Sequence, residues 1–537
     1  MKKMTRIIHA PLAAITLGWL AVHFAPNGFG VVPPPDGAYP NFTTAEGQNA
    51  LLHLSTGAGN TALGWSSLLS ITTGSFNTAV GAGTLALNTA DSNTAIGTAA
   101  LLLNTIGTEN TANGTAALVS NSVGSFNSAF GAFALNNNIG GNSNTATGDS
   151  ALLLNTSGNF NTATGSFALT SNTTGSDNTA YGAGALESNT ASENTAVGSA
   201  ALLFNTSGSR NTAIGFRALL NNAHGDDNTG TGYQALSSND GGAGNTANGS
   251  QALSGNTIGS DNTALGGHAL LQNSAGNNNT AVGASALAAN TQASNNSAVG
   301  NFALFNNNGA NNTAIGNGAL ISNTSGINNT ALGFSAGSDA TTGGGNVYIG
   351  SSVAGVAGES NHTYIRNINT TNVSGGGTDT VTVNLSTGLL GHATSSRRYK
   401  EDIRPIDDAS EALYRLKPVS YRYKKEIDST QSPAFGLIAE EVAAVNPAMV
   451  AHNSDGQPES IHYEMVNAML LNEFLKAHRR VQNQTQKIQE QETTIAELKK
   501  QVQTIVAHSK VQDAKIQRVS NQVQASNSAA QVVVNGP

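Results

Sequence analysis

Between residues 43 and 350 apolar positions recur with neither the 3.6-residue period of a helix nor the simple alternation of long strands. A pentad of the form Asn-Thr-Ala-x-Gly starts at Asn60, Asn77 and Asn93 and returns every 16 or 17 residues to Asn329. A divergent copy, Asn346-Val-Tyr-Ile-Gly350, closes the series, and a degenerate one, Thr43-Thr-Ala-Glu-Gly47, precedes it. In a unit such as Asn194 to Arg210 the pentad is followed by Gly-x-x-Ala-Leu and then by a turn-rich stretch, Asn205-Thr-Ser-Gly-Ser. A unit this short cannot bury its apolar side alone, so neighbours must stack. The pattern predicts a mainly β protein: a β-solenoid or β-roll over 43–350, with one or two short strands per coil and Ala and Leu facing inward. Asn should form ladders between coils, and Gly should supply positive φ at the corners. Fixed Gly and Asn in every unit oppose a helical repeat.

Beyond the array the pattern changes twice. Residues 351–394 are Gly-rich and β-branched, with alternation over Val381 to Leu385, and read as a β neck. From Ser395 charged residues appear, with a helical stretch at Asp408–Leu416, a strand-like Val419–Tyr423, and blocks at Phe435–Val442 and Ile461–Leu471. A long polar helix follows. Its seam has Val481, Ile488, Ile495, Val502, Ser509, Ile516 and Val523 seven residues apart, and Gln484, Gln491, Leu498, Ile505, Gln512 and Val519 at the second position. β-branched residues in the first row, without a Leu-only second row, fit a parallel trimeric coiled coil over 481–524. A frayed tail is expected at 525–537.

Composition narrows the function. Only 10% of residues are charged and 5% aromatic, and there is no cysteine, which removes disulfides, thiolate metal sites and cysteine nucleophiles. Residues 41–345 carry 12 acidic and 2 basic side chains, and 395–537 carry 17 and 18, so neither region is a nucleic-acid footprint. The scattered acids lack the fixed spacing of calcium rolls, and no metal or other cofactor is expected. Lys2, Lys3 and Arg6 before an apolar run from Ile7 to Ala25 read as a secretory signal or an N-terminal membrane anchor over 1–25, followed by a Pro-rich linker over 26–42.

The array resembles the head repeats of trimeric autotransporter adhesins, although its coils are longer. Ser395-Ser-Arg-Arg-Tyr-Lys400, Gly436-Leu-Ile-Ala-Glu-Glu-Val442 and Tyr463-Glu-Met-Val-Asn-Ala-Met-Leu470 come in an order that resembles the endosialidase-type intramolecular chaperone of tail fibres and tailspikes, over 395–480. That resemblance implies a domain that assists trimer folding and then cuts its own chain once, as an autoproteolytic serine peptidase rather than a turnover enzyme. It maps the nucleophile onto Ser395 and the base onto Lys400, with Ser396 as an alternative nucleophile and Thr394–Ser395 or Ser395–Ser396 as the bond cut. A neutral lysine can take the serine proton, and Arg397 and Arg398 either favour that neutral form or, in their more ordinary role, hold carboxylates at a protomer interface. His462 is expected at a core or interface rather than in catalysis. The expected protein is a secreted or surface-displayed homotrimeric fibre, with a cell-surface glycan or protein as receptor. The alternatives are a virion-associated prophage fibre, an uncut fibre with a trimerising cap, and a glycan- or ice-binding repeat protein that uses its Thr rows. A glycosidase is disfavoured, because Asp226-Asp227 is the one adjacent acidic pair in the array.

Overall fold

The computed structural model describes residues 40–368, 381–383, 390–392, 395–453 and 455–530. The N-terminal apolar run, nearly all of the Pro-rich linker, Leu385, Thr394 and residues 531–537 lie outside the described residues. The chain divides into two compact units, 1–371 and 372–537.

The first unit is a β-solenoid of 20 parallel strands, from β1 (Thr44–Glu46) to β20 (Thr363–Ile365). Each coil has one strand of three residues, and equivalent residues pair in register, as in Thr195↔Thr212, Ala196↔Ala213 and Val197↔Ile214. At about 4.8 Å per coil the sheet is about 90 Å long. The strand's period of two points Ala196 inward, where it is fully buried, and sends Thr195 and Val197 outward. The ladder runs one coil past residue 350. His362-Thr-Tyr-Ile-Arg366 keeps the strand register there although the Asn-Thr-Ala-x-Gly letters are gone.

Asn forms two ladders, as expected, and both are fully buried. In the first, Asn194 Oδ1 accepts from the backbone N–H and the side-chain amide of Asn211, at 3.0 and 3.2 Å. In the second, Asn205 Nδ2 donates to Asn189 Oδ1 at 2.7 Å and to Gly208 O at 2.7 Å. A buried amide is tolerable only when paired, and here most coils supply the partner for the next; the second ladder breaks at Asn172, Asn290 and Asn323, whose buried Oδ1 atoms have no partner among the described residues.

Leu lies inward but not on a strand. Leu202 is fully buried in the turn after the corner, in left-handed backbone with φ 51°. Its equivalents from Leu51 to Leu320 repeat that angle, between 51° and 54°. Two further non-glycine positions in the same coil, Ala200 and Arg210, are also left-handed, at φ 55° and 57°. Glycine supplies positive φ at the corners, as expected, and non-glycine residues adopt it in the turns as well. No residue in these columns is β-branched, since Val, Ile or Thr would set a branched Cβ against the carbonyl. Leu, branched one carbon further out, fills the core without that clash. At the corner glycine is required: Gly198 has φ 137°, and an added Cβ would lie 2.5 Å from Gly215 O.

Tyr348 closes the core. It replaces the strand alanine, is fully buried, stacks on Tyr364 with centroids 5.7 Å apart, and donates from its hydroxyl to Glu359 at 3.0 Å. Its ring fits because Gly337 stands where Leu320 stands one coil earlier. A Cβ at Gly337 would meet that ring at 2.7 Å.

In the second unit β21 (Val381–Val383) pairs antiparallel with β22 (Leu390–His392), consistent with the alternation read there. A 3-10 helix, Asp407–Arg415, precedes β23 (Val419–Tyr421) and β24 (Ala434–Gly436), which pair antiparallel. Next come α1 (Ala439–Val445), β25 (Val450–His452), β26 (Pro458–Ile461) and α2 (Tyr463–Ala530). Ala412, Val442, Met449, Val450, Val466 and Met469 form its core. Among the described residues no helix is long and apolar enough to cross a membrane.

Candidate active site

Ser395 and Lys400 are five residues apart, too far to face each other on an extended chain. A short 3-10 turn, Arg397–Tyr399, folds the intervening segment. Tyr399 N–H donates to Ser396 O at 3.1 Å and Lys400 N–H to Arg397 O at 3.2 Å. The turn returns Lys400 toward its start, and Nζ comes within 3.2 Å of Ser395 Oγ. That separation is within reach for proton transfer between a nucleophile and its base.

Ser396 is engaged differently. Its Oγ caps the turn by accepting from Arg398 N–H at 3.4 Å and from Arg398 Nε at 3.2 Å. This oxygen faces two donors, one of them cationic, and no base neighbours it among the described residues. Arg398 also lies over the Tyr399 ring, 5.4 Å from its centroid. Among the described residues neither Arg397 nor Arg398 forms an ion pair with a carboxylate. Ser395 and Lys400 are both exposed in the single chain.

His462 has Glu464 as its side-chain partner, at 3.0 Å, and its backbone N–H donates to Met449 O at 2.9 Å. It caps the start of α2. No cluster of three or more metal-ligating side chains occurs among the described residues.

A second polar group joins the Asp407–Arg415 helix to α2, and the sequence did not reveal it. Glu473, 8% exposed, accepts from Ser410 Oγ at 2.5 Å, Tyr414 OH at 2.7 Å and Lys476 Nζ at 2.9 Å. Asn472 Nδ2 donates to Ser410 Oγ at 2.7 Å. The Ser410 hydroxyl first, then Lys476 and Tyr414, hold the Glu473 carboxyl down to about 2. Glu473 and Lys476 have ordinary i, i+3 spacing. Their partners Ser410 and Tyr414 lie 63 and 59 residues from Glu473, beyond any local pattern.

Residues 395–451 match the family described as chaperone of endosialidase. The match begins at Ser395 and takes in the dyad and the Gly436–Val442 block. No curated protein and no solved structure matches the chain. The chain thus combines a segment that matches the endosialidase-chaperone family with a long β-solenoid, an arrangement that fits a tail-fibre-like protein.

Proposed function

We propose that this chain is the protomer of an exported homotrimeric fibre, that its C-terminal domain directs assembly, and that the domain then cuts itself free at Ser395. The observation that carries the reading is the 3.2 Å approach of Lys400 Nζ to Ser395 Oγ at the first residues of the family match. In the forward step neutral Lys400 takes the hydroxyl proton, and Ser395 Oγ attacks the carbonyl carbon of Thr394. The proton passes to the Ser395 nitrogen as the peptide C–N bond breaks, and water hydrolyses the resulting ester. Attack by Ser396 would instead open the Ser395–Ser396 bond.

Trimer formation is supported by α2. Val481, Ile488, Ile495, Val502, Ile516 and Val523 are all more than half exposed, along a seam no neighbour covers within the chain. Tail-fibre-like proteins act outside the cell or on virions, and a leader-like N-terminus favours the exported setting. A cap that trimerises without cutting is favoured by one feature, the openness of the dyad to water in the single chain. A lysine serves as a base only when neutral, which burial promotes.

Expression of the full chain followed by mass determination decides between them. A cut chain should give a product ending at 394 or 395 and a fragment beginning at Ser395 or Ser396. Ser395→Ala and Lys400→Arg should each leave one full-length band in folded trimers, because guanidinium keeps the charge but does not give up its proton. Ser396→Ala should still be cut. An intact wild-type chain in folded trimers would eliminate the self-cleavage reading.

A further inference from the structure

The two positions that follow each corner glycine are mostly small across the solenoid: Ser199-Ala200 after Gly198 and Ala284-Ser285 after Gly283 are typical. Single aromatics interrupt the rule elsewhere, at Trp65, Phe133, Phe167, Phe302 and Phe334, but only between Ala200 and Ala284 do four consecutive coils of the described array carry long planar groups, with Phe216-Arg217, Tyr233-Gln234, Ser250-Gln251 and Gly267-His268. Stacking in register turns these letters into one surface strip, three coil steps or about 14 Å long.

The strip has two edges. On one, the Phe216 and Tyr233 rings stack with centroids 5.8 Å apart and planes within 14°, and remain 43% and 50% exposed. On the other, His268 Nε2 donates to Gln251 Oε1 at 2.9 Å, and Gln251 Nε2 donates to Gln234 Oε1 at 3.2 Å. This chain of bonds runs one way and ends at the Gln234 amide nitrogen, whose N–H groups have no partner among the described residues. Arg217 lies one coil further, its guanidinium 5.0 Å from the Phe216 centroid. The described solenoid has two arginines between residues 41 and 345. Arg210 is spent on Asp227 at 2.7 Å, whereas Arg217 makes no ion pair among the described residues.

Folding does not require these side chains. Arg217, Gln234, Gln251 and His268 sit in left-handed backbone, φ 53° to 59°, at the column where Gly83, Gly184 and Gly318 occur elsewhere. Ala200 and Ser285 hold the same turn at φ 55°. Long planar groups therefore occupy an unfavourable backbone position, with Arg217 and His268 exposed and Gln234 and Gln251 half-buried.

We propose that this strip binds an acidic glycan, with the apolar face of a sugar ring on Phe216 and Tyr233, its carboxylate on Arg217, and its hydroxyls on Gln234 and the polar ladder. Flat exposed rings suit a pyranose face, and a guanidinium fork suits a carboxylate. Single-stranded nucleic acid would also stack on the rings, but it is held along a basic groove by contacts to successive phosphates, whereas the strip offers one guanidinium, enough for one carboxylate. The assignment rests on the solenoid being displayed as a fibre. It fails or stands independently of trimer formation and self-cleavage, which mass and sedimentation measure on the same samples.

The full chain is run in affinity electrophoresis through gels containing polygalacturonate, alginate or hyaluronate, each paired with its methyl-esterified form, which keeps the ring and removes the charge. Retardation by at least one acid form, with weaker retardation by its ester, is expected. Arg217→Ala should lower apparent affinity for the acid form about tenfold, the order expected for a charged hydrogen bond, and bring it to the level of the ester. Tyr233→Ser should remove retardation by both. Each variant installs a residue that neighbouring coils already carry, and an unchanged far-UV spectrum checks the fold. Free migration of the wild type in every gel would overturn the assignment, as would undiminished retardation of the two variants. Retardation by a single-stranded oligonucleotide in place of the polysaccharides, lost in Tyr233→Ser, would also overturn it.

Discussion

Leu202 is fully buried by coils of its own chain, and the same holds for its equivalents through to Leu320. In the C-terminal unit Phe435 is 85% exposed, Phe474 68% and Leu471 59%, and among the described residues six buried apolar side chains make up the core. The contrast follows from how each region meets its neighbours. A solenoid coil finds its partner 16 or 17 residues away in the same chain, so stacking completes the core within one protomer. The C-terminal unit has too little apolar mass to enclose itself, and a core that small needs help from another source. Its uncovered Phe, Leu and seam residues suit further copies of the chain. On the proposed reading, the solenoid supplies extent and surface and the C-terminal unit supplies the reason for chains to associate.

The widest test of this contrast removes one side of it. Deleting 395–537 before expression is expected to abolish trimers, leaving monomers or aggregates in sedimentation, because identical coils cannot set chain register on their own. Soluble trimers from the deleted chain would place association in the solenoid and reverse the comparison.

A second test compares one glycine from each region. Gly198→Ala should destabilise its coil by on the order of 3 kcal/mol, since the corner conformation is nearly glycine-only and the new Cβ meets Gly215 O. Gly456, at φ 75°, has no atom within 4 Å of an added Cβ, so Gly456→Ala should cost only about 1 kcal/mol of backbone strain. Thermal unfolding and hydrogen exchange would resolve the pair, and equal losses would show that the coils are not closely stacked.

The stacked core was legible because the period is exact in kind: Asn, Ala and Gly return in phase, and phase is what stacking requires. The left-handed Leu turn was not read, although a signal existed in what the columns lack. Across the coils no Val, Ile or Thr enters the positions of Ala200, Leu202 or Arg210. The end of the array was also misjudged by its letters, since His362–Arg366 keeps strand pairing after the pentad has gone. In the C-terminal unit the Ser395 and Lys400 pair could be matched from motif order. The 3-10 turn that brings the two together, and the Arg398 bonds that set Ser396 apart, required coordinates. Glu473 was invisible for a different reason: charge on a polar helix is ordinary, and the hydroxyls that bury it come from a distant segment.

Glu473 gives a narrower test, confined to the second unit. Its carboxyl is held at about 2 in the folded chain, below the ordinary 4.5. A depressed carboxyl contributes stability above its unfolded value and loses it as pH falls through the folded value. Melting of the C-terminal unit should therefore weaken between about pH 4.5 and pH 2 in the wild type. Glu473→Gln should lower the melting temperature modestly at neutral pH and flatten the dependence across that window. An unchanged acid profile would show that the clamp does not hold the Asp407–Arg415 helix to α2.

The smallest expected effect bears on how the solenoid tolerates its own backbone. Ala200 sits at φ 55°, and a left-handed alanine costs about 1 kcal/mol that glycine would not incur. Glycine also loses more freedom on folding, by about 0.5–1 kcal/mol, so the two terms nearly cancel. Ala200→Gly should therefore change stability by no more than about 0.5 kcal/mol, in keeping with Gly83, Gly184 and Gly318 at the same place in other coils. Ala200→Val should cost clearly more, because its branched Cβ has no relaxed left-handed conformation. Thermal unfolding of the two variants against the wild type measures the difference. If Val were as neutral as Gly, sterics at this column would not explain the missing β-branched residues. If Gly were strongly stabilising, the turn would be strained beyond what ordinary left-handed backbone costs, and stacking would be forcing the angle rather than accommodating it.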